Sequence, residues 1–167
     1  MPEKQTSIIP NIQAYRNIIV QVVQSSLEEI GFMEILPVQD QSPYDESLDR
    51  YRADILIKEP HAGEIQLVMP KTVLETIAEN VYTFEKEDVT EDTLNDIMSE
   101  MINIIAGSLM RLWTPPSKIF QLGLPAVGQE AFLKIDITKD SLEFDMEGSP
   151  FWLIMRGEVF MEPPAGN

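Results

Sequence analysis

Hydrophobic residues recur along the chain at helical spacing in three places. Spacings of three and four residues predict a first helix in "NIQAYRNIIVQVVQSSLEEIG", with Asn11 as a possible N-cap and Gly31 as a stop, and a second helix in "PKTVLETIAENVY". The same spacing over residues 91–113, "EDTLNDIMSEMINIIAGSLMRLW", predicts a third and longer helix. Thr90 is its predicted N-cap, because acidic residues follow in what would be the first turn.

Apolar runs bounded by turn residues predict the strands. "YRADILIKE" and "GEIQLVMP", separated by "PHAG", are typical of a hairpin, and further strand candidates are "FMEILPVQ", "KIFQLGLPAV", "EAFLKIDIT", "SLEFDMEG" and "FWLIMRGEVFM". With the three helices, these strands predict an α+β protein with one mostly antiparallel sheet and long helices packed on one face. No repeat or composition break divides the chain, so we expect a single domain over residues 1–167, with a flexible tail at 161–167.

Composition narrows the classes of function. A chain of 167 residues that is 44% hydrophobic can bury a sizeable core, and its net charge of −16 argues against nucleic acid or an anionic membrane as partner. A basic protein is a better match for this negative charge than nucleic acid or an anionic membrane. The absence of cysteine excludes disulfides, thiolate metal sites and a cysteine nucleophile. Since neither a signal peptide nor an apolar run of about eighteen residues is found, we expect a cytoplasmic protein without a membrane segment.

The predicted third helix is apolar around most of its circumference and carries one narrow polar stripe. At about 100° per residue, Asp96, Glu100, Asn103 and Gly107 fall within roughly 60° of one another. A polar edge of this kind is what any buried helix shows to solvent. Gly107 indicates a role beyond solvent exposure. Glycine inside a helix lowers stability by about 1 kcal/mol relative to alanine, and it often permits close approach of another backbone. We therefore interpret the stripe as a candidate docking surface, with Met110 and Arg111 near its end.

The string "DIMSEMINIIAG", preceded by an acidic cap and followed downstream by "LGLPAV", resembles the chemotaxis phosphatases of the CheX type, relatives of CheC and FliY. Those proteins carry Glu-x-x-Asn on a long helix, and the order of elements extends the resemblance over residues 55–160. The resemblance implies that the substrate is the aspartyl phosphate of a phosphorylated CheY-type response regulator. It further implies that Asn103 enters the phosphorylation site and that Glu100 pairs with the regulator's active-site lysine.

The residue types suit that chemistry. An aspartyl phosphate is an activated acyl phosphate beside the regulator's own divalent metal, so the helper protein has mainly to orient a water in line with phosphorus. The amide of Asn103 can hold a water without adding negative charge, and the carboxylate of Glu100 can form a charge-assisted bond to a lysine. Asp96 would extend the acidic rim, and Gly107 would leave room for a loop of the partner. We expect no cofactor bound by this chain, since the metal belongs to the regulator.

The motif occurs once, whereas CheC-like and FliY-like proteins carry a second copy on their first helix. Here Ala14 stands three residues before Asn17, where the matching glutamate would be. The single copy favours the CheX type, and this resemblance implies a homodimer with one site per subunit.

Other interpretations stay open. The main alternative is a non-catalytic adaptor of the same fold that docks a response regulator or a flagellar switch component, and a further one is an acidic adaptor unrelated to chemotaxis. A metal-dependent hydrolase would use Glu91, Asp92 and Asp96 as ligands, although the first two are also explained as charges at a helix N-terminus. His61, the single histidine, has no partners for a metal site in the sequence and is predicted to be exposed in a turn.

Overall fold

Three helices and a seven-stranded sheet make up the fold in a computed structural model, which describes residues 11–31, 34–39, 49–130 and 140–166. The helices are α1 (Arg16–Gly31), α2 (Lys71–Val81) and α3 (Glu91–Trp113), and short 3-10 helices span Ile12–Tyr15, Lys86–Asp88 and Glu158–Phe160. The strands are β1 (Ile35–Pro37), β2 (Arg50–Glu59), β3 (Gly63–Pro70), β4 (Gln121–Leu122), β5 (Ala126–Glu130), β6 (Ser141–Met146) and β7 (Ser149–Arg156). The predicted α+β class is confirmed.

Every strand pairing in the described sheet is antiparallel. The strand order is β1-β6-β7-β3-β2-β4, and β5 also pairs with β2. The predicted hairpin is the pair β2–β3, in which Ile55 lies opposite Ile65, and it occupies the middle of the sheet. The strand predicted in "EAFLKIDIT" lies outside the described residues except for its first residue, which ends β5.

The helices cover one face of the sheet, as predicted. Alternate residues of β2 are buried towards them, and α3 packs on β2, β3 and β5, with α1 and α2 against its sides. The main core therefore lies between α3 and the central strands. On the other face, Val68, Trp152 and Ile154 form a smaller buried cluster. None of the helices in the described part of the chain has the combined length and apolar character that crossing a membrane requires.

Three local predictions were wrong. Asn11 makes no side-chain capping bond, and the first helix begins as a 3-10 turn before α1. "KIFQLGLPAV" forms two short strands, β4 and β5, rather than one. The last strand ends at Arg156 rather than continuing through "GEVFM", because Gly157 has a φ of +107° and turns the chain into the 3-10 helix Glu158–Phe160.

The C-terminal segment contacts the end of α3. The sequence predicts a flexible tail at 161–167, and its described part, residues 161–166, makes two hydrogen bonds to this helix end. The indole N–H of Trp113 donates to the backbone oxygen of Glu162 at 3.1 Å, and the amide of Ala165 donates to the backbone oxygen of Leu112 at 2.9 Å. At a rise of about 1.5 Å per residue, these contacts lie roughly 20 Å along the helix from Glu100.

Candidate functional site

The candidate site lies on α3, and the start of this helix is firmly capped. The amide of Thr93 donates to Oγ1 of Thr90 at 3.2 Å, and the amide of Thr90 donates to Oγ1 of Thr93 at 3.4 Å. This reciprocal pair satisfies amides that the helix itself leaves without acceptors, and Glu91 and Asp92 in the first turn complement the helix dipole. The predicted N-cap and the predicted bounds of 91–113 are thus confirmed.

The predicted polar stripe faces solvent. Asp96, Glu100 and Asn103 are exposed and Gly107 is half-buried, whereas most other directions of the helix are in the core. The fully or nearly fully buried residues of α3 are Leu94, Ile97, Met98, Met101, Ile102, Ile105, Ala106, Leu109, Met110 and Trp113. The structure therefore brings the four predicted site residues onto one accessible line.

Met110 does not belong to the stripe, in contrast to the prediction. It lies seven residues after Asn103 and so points in nearly the same direction from the helix axis, yet its side chain is completely buried in the main core. The fold covers this side of α3 within two turns of Asn103. The accessible stripe is consequently shorter than the helix periodicity indicates, and only the exposed Arg111 continues it.

Tyr82 is a site residue that the sequence analysis missed. It is the C-cap of α2, its ring packs against the main core, and its hydroxyl donates a hydrogen bond to Oε2 of Glu100. Burial of the ring, followed by this bond to the Glu100 carboxylate, raises the pKa of Tyr82 to about 12. No periodicity could have indicated the contact, because it joins two helices across a sequence separation of 18 residues.

Packing among the described residues does not require a glycine at position 107. A Cβ atom built at this position would meet no atom within 4 Å beyond the glycine's own helical turns. Glycine in a helix interior nevertheless costs about 1 kcal/mol relative to alanine. Since the described part of the fold gives no reason for that cost, the open space beside Gly107 leaves room for a group of a partner protein.

The stripe is an open surface rather than a pocket. A groove of about 560 Å³ runs between α1 and α3, and its lining includes Ile18, Val22, Ile104, Leu112 and Arg111. None of the four predicted site residues lines this groove. An exposed amide and carboxylate on a convex helix cannot enclose a small molecule, but they can reach into a concave site on another protein.

The metal-dependent interpretation gains no support from the described residues. No group of three or more histidine, aspartate or glutamate side chains among them could hold a metal ion, so Glu91, Asp92 and Asp96 are not gathered into such a site. His61 is exposed in the β2–β3 turn, as predicted, with Nδ1 at 3.8 Å from a carboxylate oxygen of Glu158.

Comparison with known proteins identifies relatives of this architecture. The family model described as chemotaxis phosphatase CheX matches residues 53–146, more than half of the chain, and this range includes all of α3. No curated protein matches the chain in sequence.

Solved structures agree with the family match at the level of the fold. The chemotaxis protein CheX from Vibrio vulnificus is 13% identical, with a TM-score of 0.68 over 87% of this chain and 99% of that one. A CheC-like superfamily protein from Shewanella sp. PV-4 is 15% identical, with a TM-score of 0.63 over 86% and 97%. The CheX–CheY–BeF3–Mg complex from Borrelia burgdorferi is 16% identical, with a TM-score of 0.61 over 85% and 96%.

Proposed function

The chain belongs to the CheX family of chemotaxis phosphatases, and on that premise we propose that it hydrolyses the aspartyl phosphate of a CheY-type response regulator. In this proposal Asn103 is the catalytic amide and Glu100 is the docking carboxylate. Asp96 and Gly107 belong to the surface that meets the partner. A basic residue of the regulator, such as its active-site lysine, would pair with Glu100.

The observation that carries the proposal is the position of Asn103. Its side chain is exposed on a helix whose other faces are mostly core, and it makes no side-chain hydrogen bond within the part of the chain that the structure describes. The amide therefore has no evident structural task. One helical turn before it, Glu100 offers a negative charge on the same accessible line.

The reaction requires little chemistry from this chain. A water oxygen forms a bond to phosphorus while the bond between phosphorus and the aspartyl oxygen breaks, which yields a carboxylate and inorganic phosphate, and the water proton passes to the phosphate. The Asn103 amide can accept a hydrogen bond from that water and donate one to a phosphoryl oxygen, so that the attack is in line. The divalent ion of the reaction is held by the regulator in this scheme.

Two further points support the proposed partner. The structurally similar CheX protein from Borrelia burgdorferi was solved with CheY, BeF3 and magnesium, so a protein of this fold can bind a regulator. The open stripe on α3 also suits a protein surface better than a small ligand. We include a homodimer with one site per subunit in the proposal, and light scattering in solution would test it.

The experiment that tests the function is the decay of a phosphorylated CheY-type regulator from the same source, measured with and without this protein. We expect the protein to accelerate decay and Asn103→Ala to reduce that acceleration by about 10²-fold or more. Asn17→Ala is the matched control, because Asn17 is an exposed asparagine on α1 without a preceding glutamate. It should leave the rate unchanged.

The same experiment separates the phosphatase from an adaptor. An adaptor would bind the regulator and leave its decay at the spontaneous rate, with Asn103→Ala indistinguishable from the unsubstituted protein. That result would show that the catalytic assignment is wrong while leaving the docking surface in place. Absence of both binding and acceleration would reject a CheY-type partner altogether.

A further inference from the structure

The contact between Tyr82 and Glu100 joins a partly buried side chain to an exposed one. The tyrosine ring is partly buried against the main core, whereas the glutamate side chain is exposed. The hydroxyl donates to Oε2 of the carboxylate. In the described part of the chain, Oε1 has no hydrogen-bond donor. One oxygen therefore accepts a hydrogen bond from within the protein, and the other is left without a donor among the described residues.

The backbone turns sharply after Tyr82. Thr83 has a φ of 53°, in the left-handed region that β-branched residues rarely adopt, and the amide of Phe84 donates back to the carbonyl of Ala78 at 3.3 Å. This turn follows the C-cap Tyr82 and prevents α2 from continuing beyond Val81. Strained residues persist where the surrounding structure over-determines them, and they are frequent at functional sites. The strain here lies next to the residue that contacts the proposed docking carboxylate.

A held carboxylate binds a cation at lower cost than a free one. An exposed glutamate samples several rotamers, and a partner that pairs with it must pay the entropy of selecting one. The hydrogen bond from the Tyr82 hydroxyl favours one rotamer of Glu100 before the partner binds. A tyrosine with its ordinary pKa of 10.0 is already protonated throughout the physiological pH range, and the pKa of Tyr82 is raised further, to about 12, so its hydroxyl remains a donor.

We propose that Tyr82 is a positioning residue, whose hydroxyl fixes the Glu100 carboxylate so that its free oxygen is ready for a cationic side chain of the regulator. This inference rests on the proposed function and adds a residue from α2 to a site otherwise built on α3 alone. Tyr82 contacts neither the phosphate nor the water in this scheme. It acts on affinity for the regulator rather than on the chemical step.

The test is Tyr82→Phe, which removes the hydroxyl and keeps the ring. With the phosphorylated regulator as substrate, we expect KM to rise about five- to tenfold while kcat stays within about twofold. In a Glu100→Gln background, the same substitution should have no further effect on KM, because its partner charge is already absent. Tyr15→Phe is the control, since Tyr15 is also partly buried but packs on Trp113 at the far end of α3.

The outcomes separate this inference from the proposed function. If the unsubstituted protein accelerates decay and Tyr82→Phe has the same KM, or a lower one, the positioning role is wrong and the phosphatase stands. A rise in KM that persists in the Glu100→Gln background would also overturn it, since Tyr82 would then act through some other contact. If the unsubstituted protein neither binds the beryllofluoride-activated regulator nor accelerates decay, both proposals fail.

Discussion

Glu100 and Asn103 are one helical turn apart, yet their side chains are in different situations. Glu100 already accepts a hydrogen bond from Tyr82, whereas the Asn103 amide has no partner within the described residues. A carboxylate that docks a lysine gains from being held in advance, because the pairing geometry is the same before and after binding. In the proposed reaction, the Asn103 amide would be oriented by its hydrogen bonds to the water and the phosphoryl group once the regulator binds.

The raised pKa of Tyr82, caused first by burial and then by the hydrogen bond to Glu100, predicts a pH dependence at the residue scale. The pKa of Tyr82 is raised from 10.0 to about 12 in the folded protein, so its contribution to stability is complete below pH 10 and is lost as pH rises towards 12. We expect the stability difference between the unsubstituted protein and Tyr82→Phe to be constant up to pH 10 and to shrink above it. Urea unfolding at a series of pH values measures this difference.

Tyr51 does not confuse that measurement. Burial, with smaller effects of Glu91, Glu75 and Asp49, raises its pKa as well, but Tyr51 is present in both proteins and its contribution cancels. The absence of any stability difference below pH 10 would contradict the bond between Tyr82 and Glu100, and a difference that stays constant through pH 12 would contradict the raised pKa of Tyr82.

At the scale of elements, local signals predicted α3 well. Its start follows from the Thr90 cap and the acidic first turn, and its end from the prolines that follow Thr114, all of which act within a few residues. The exposure of its faces depends on distant packing instead. Periodicity therefore predicted correctly that Glu100 and Asn103 are exposed, but it failed for Met110, which is buried by other elements.

The sheet shows the same division between local and distant causes. The β2–β3 hairpin was predictable because its two strands and turn are contiguous in sequence. The end of β7 was not, because a continuous apolar pattern runs on past Arg156. Gly157 ends the strand through its positive φ, and a Cβ at that position would approach the Cα of Gly63 to 2.5 Å. That close approach is a property of the folded chain.

Gly107 gives a prediction in which stability and activity change in opposite directions. Gly107→Ala should raise the free energy of unfolding by roughly 0.5–1 kcal/mol, because alanine is the better helix former and none of the described residues occupies the added methyl's space. If the partner approaches the helix closely at this point, the methyl should weaken binding of the phosphorylated regulator at least about threefold. Chemical denaturation and titration of the regulator measure the two effects.

Ser108→Ala is the control for Gly107→Ala. Ser108 is the next residue of α3 and lines the α1–α3 groove rather than the stripe, so its substitution should improve helix propensity without changing affinity. Unchanged affinity in Gly107→Ala would mean that the regulator does not approach the helix at this glycine.

At the scale of the whole molecule, the sheet and helices make α3 both the centre of the core and the bearer of the proposed site. Its buried residues hold the helix against β2 and β3, and its polar stripe faces solvent. Side chains on a rigid, fully packed helix keep their relative positions better than side chains on a loop. Loss of activity in a site variant is informative only if this scaffold is intact.

Neighbouring residues of α3 allow the scaffold and the site to be separated. Ile102 is completely buried, so Ile102→Ala should cost about 2–5 kcal/mol through lost contacts and a cavity. Asn103 is exposed, so Asn103→Ala should change stability by no more than about 0.5 kcal/mol. For a domain of this size, the melting temperature should fall by roughly 5–15 °C in the first variant and stay nearly constant in the second.

For phosphatase activity, we expect the opposite ranking of the two variants: Asn103→Ala should lose more than Ile102→Ala. Below its melting transition, Ile102→Ala keeps the whole stripe, so it should retain most of the acceleration of regulator decay per folded molecule. Asn103→Ala should lose that acceleration while melting like the unsubstituted protein. Calorimetry together with the decay assay on the same samples gives both quantities. If Asn103→Ala were instead as unstable as Ile102→Ala, its loss of activity would report unfolding, and Asn103 would be part of the scaffold rather than the catalytic amide.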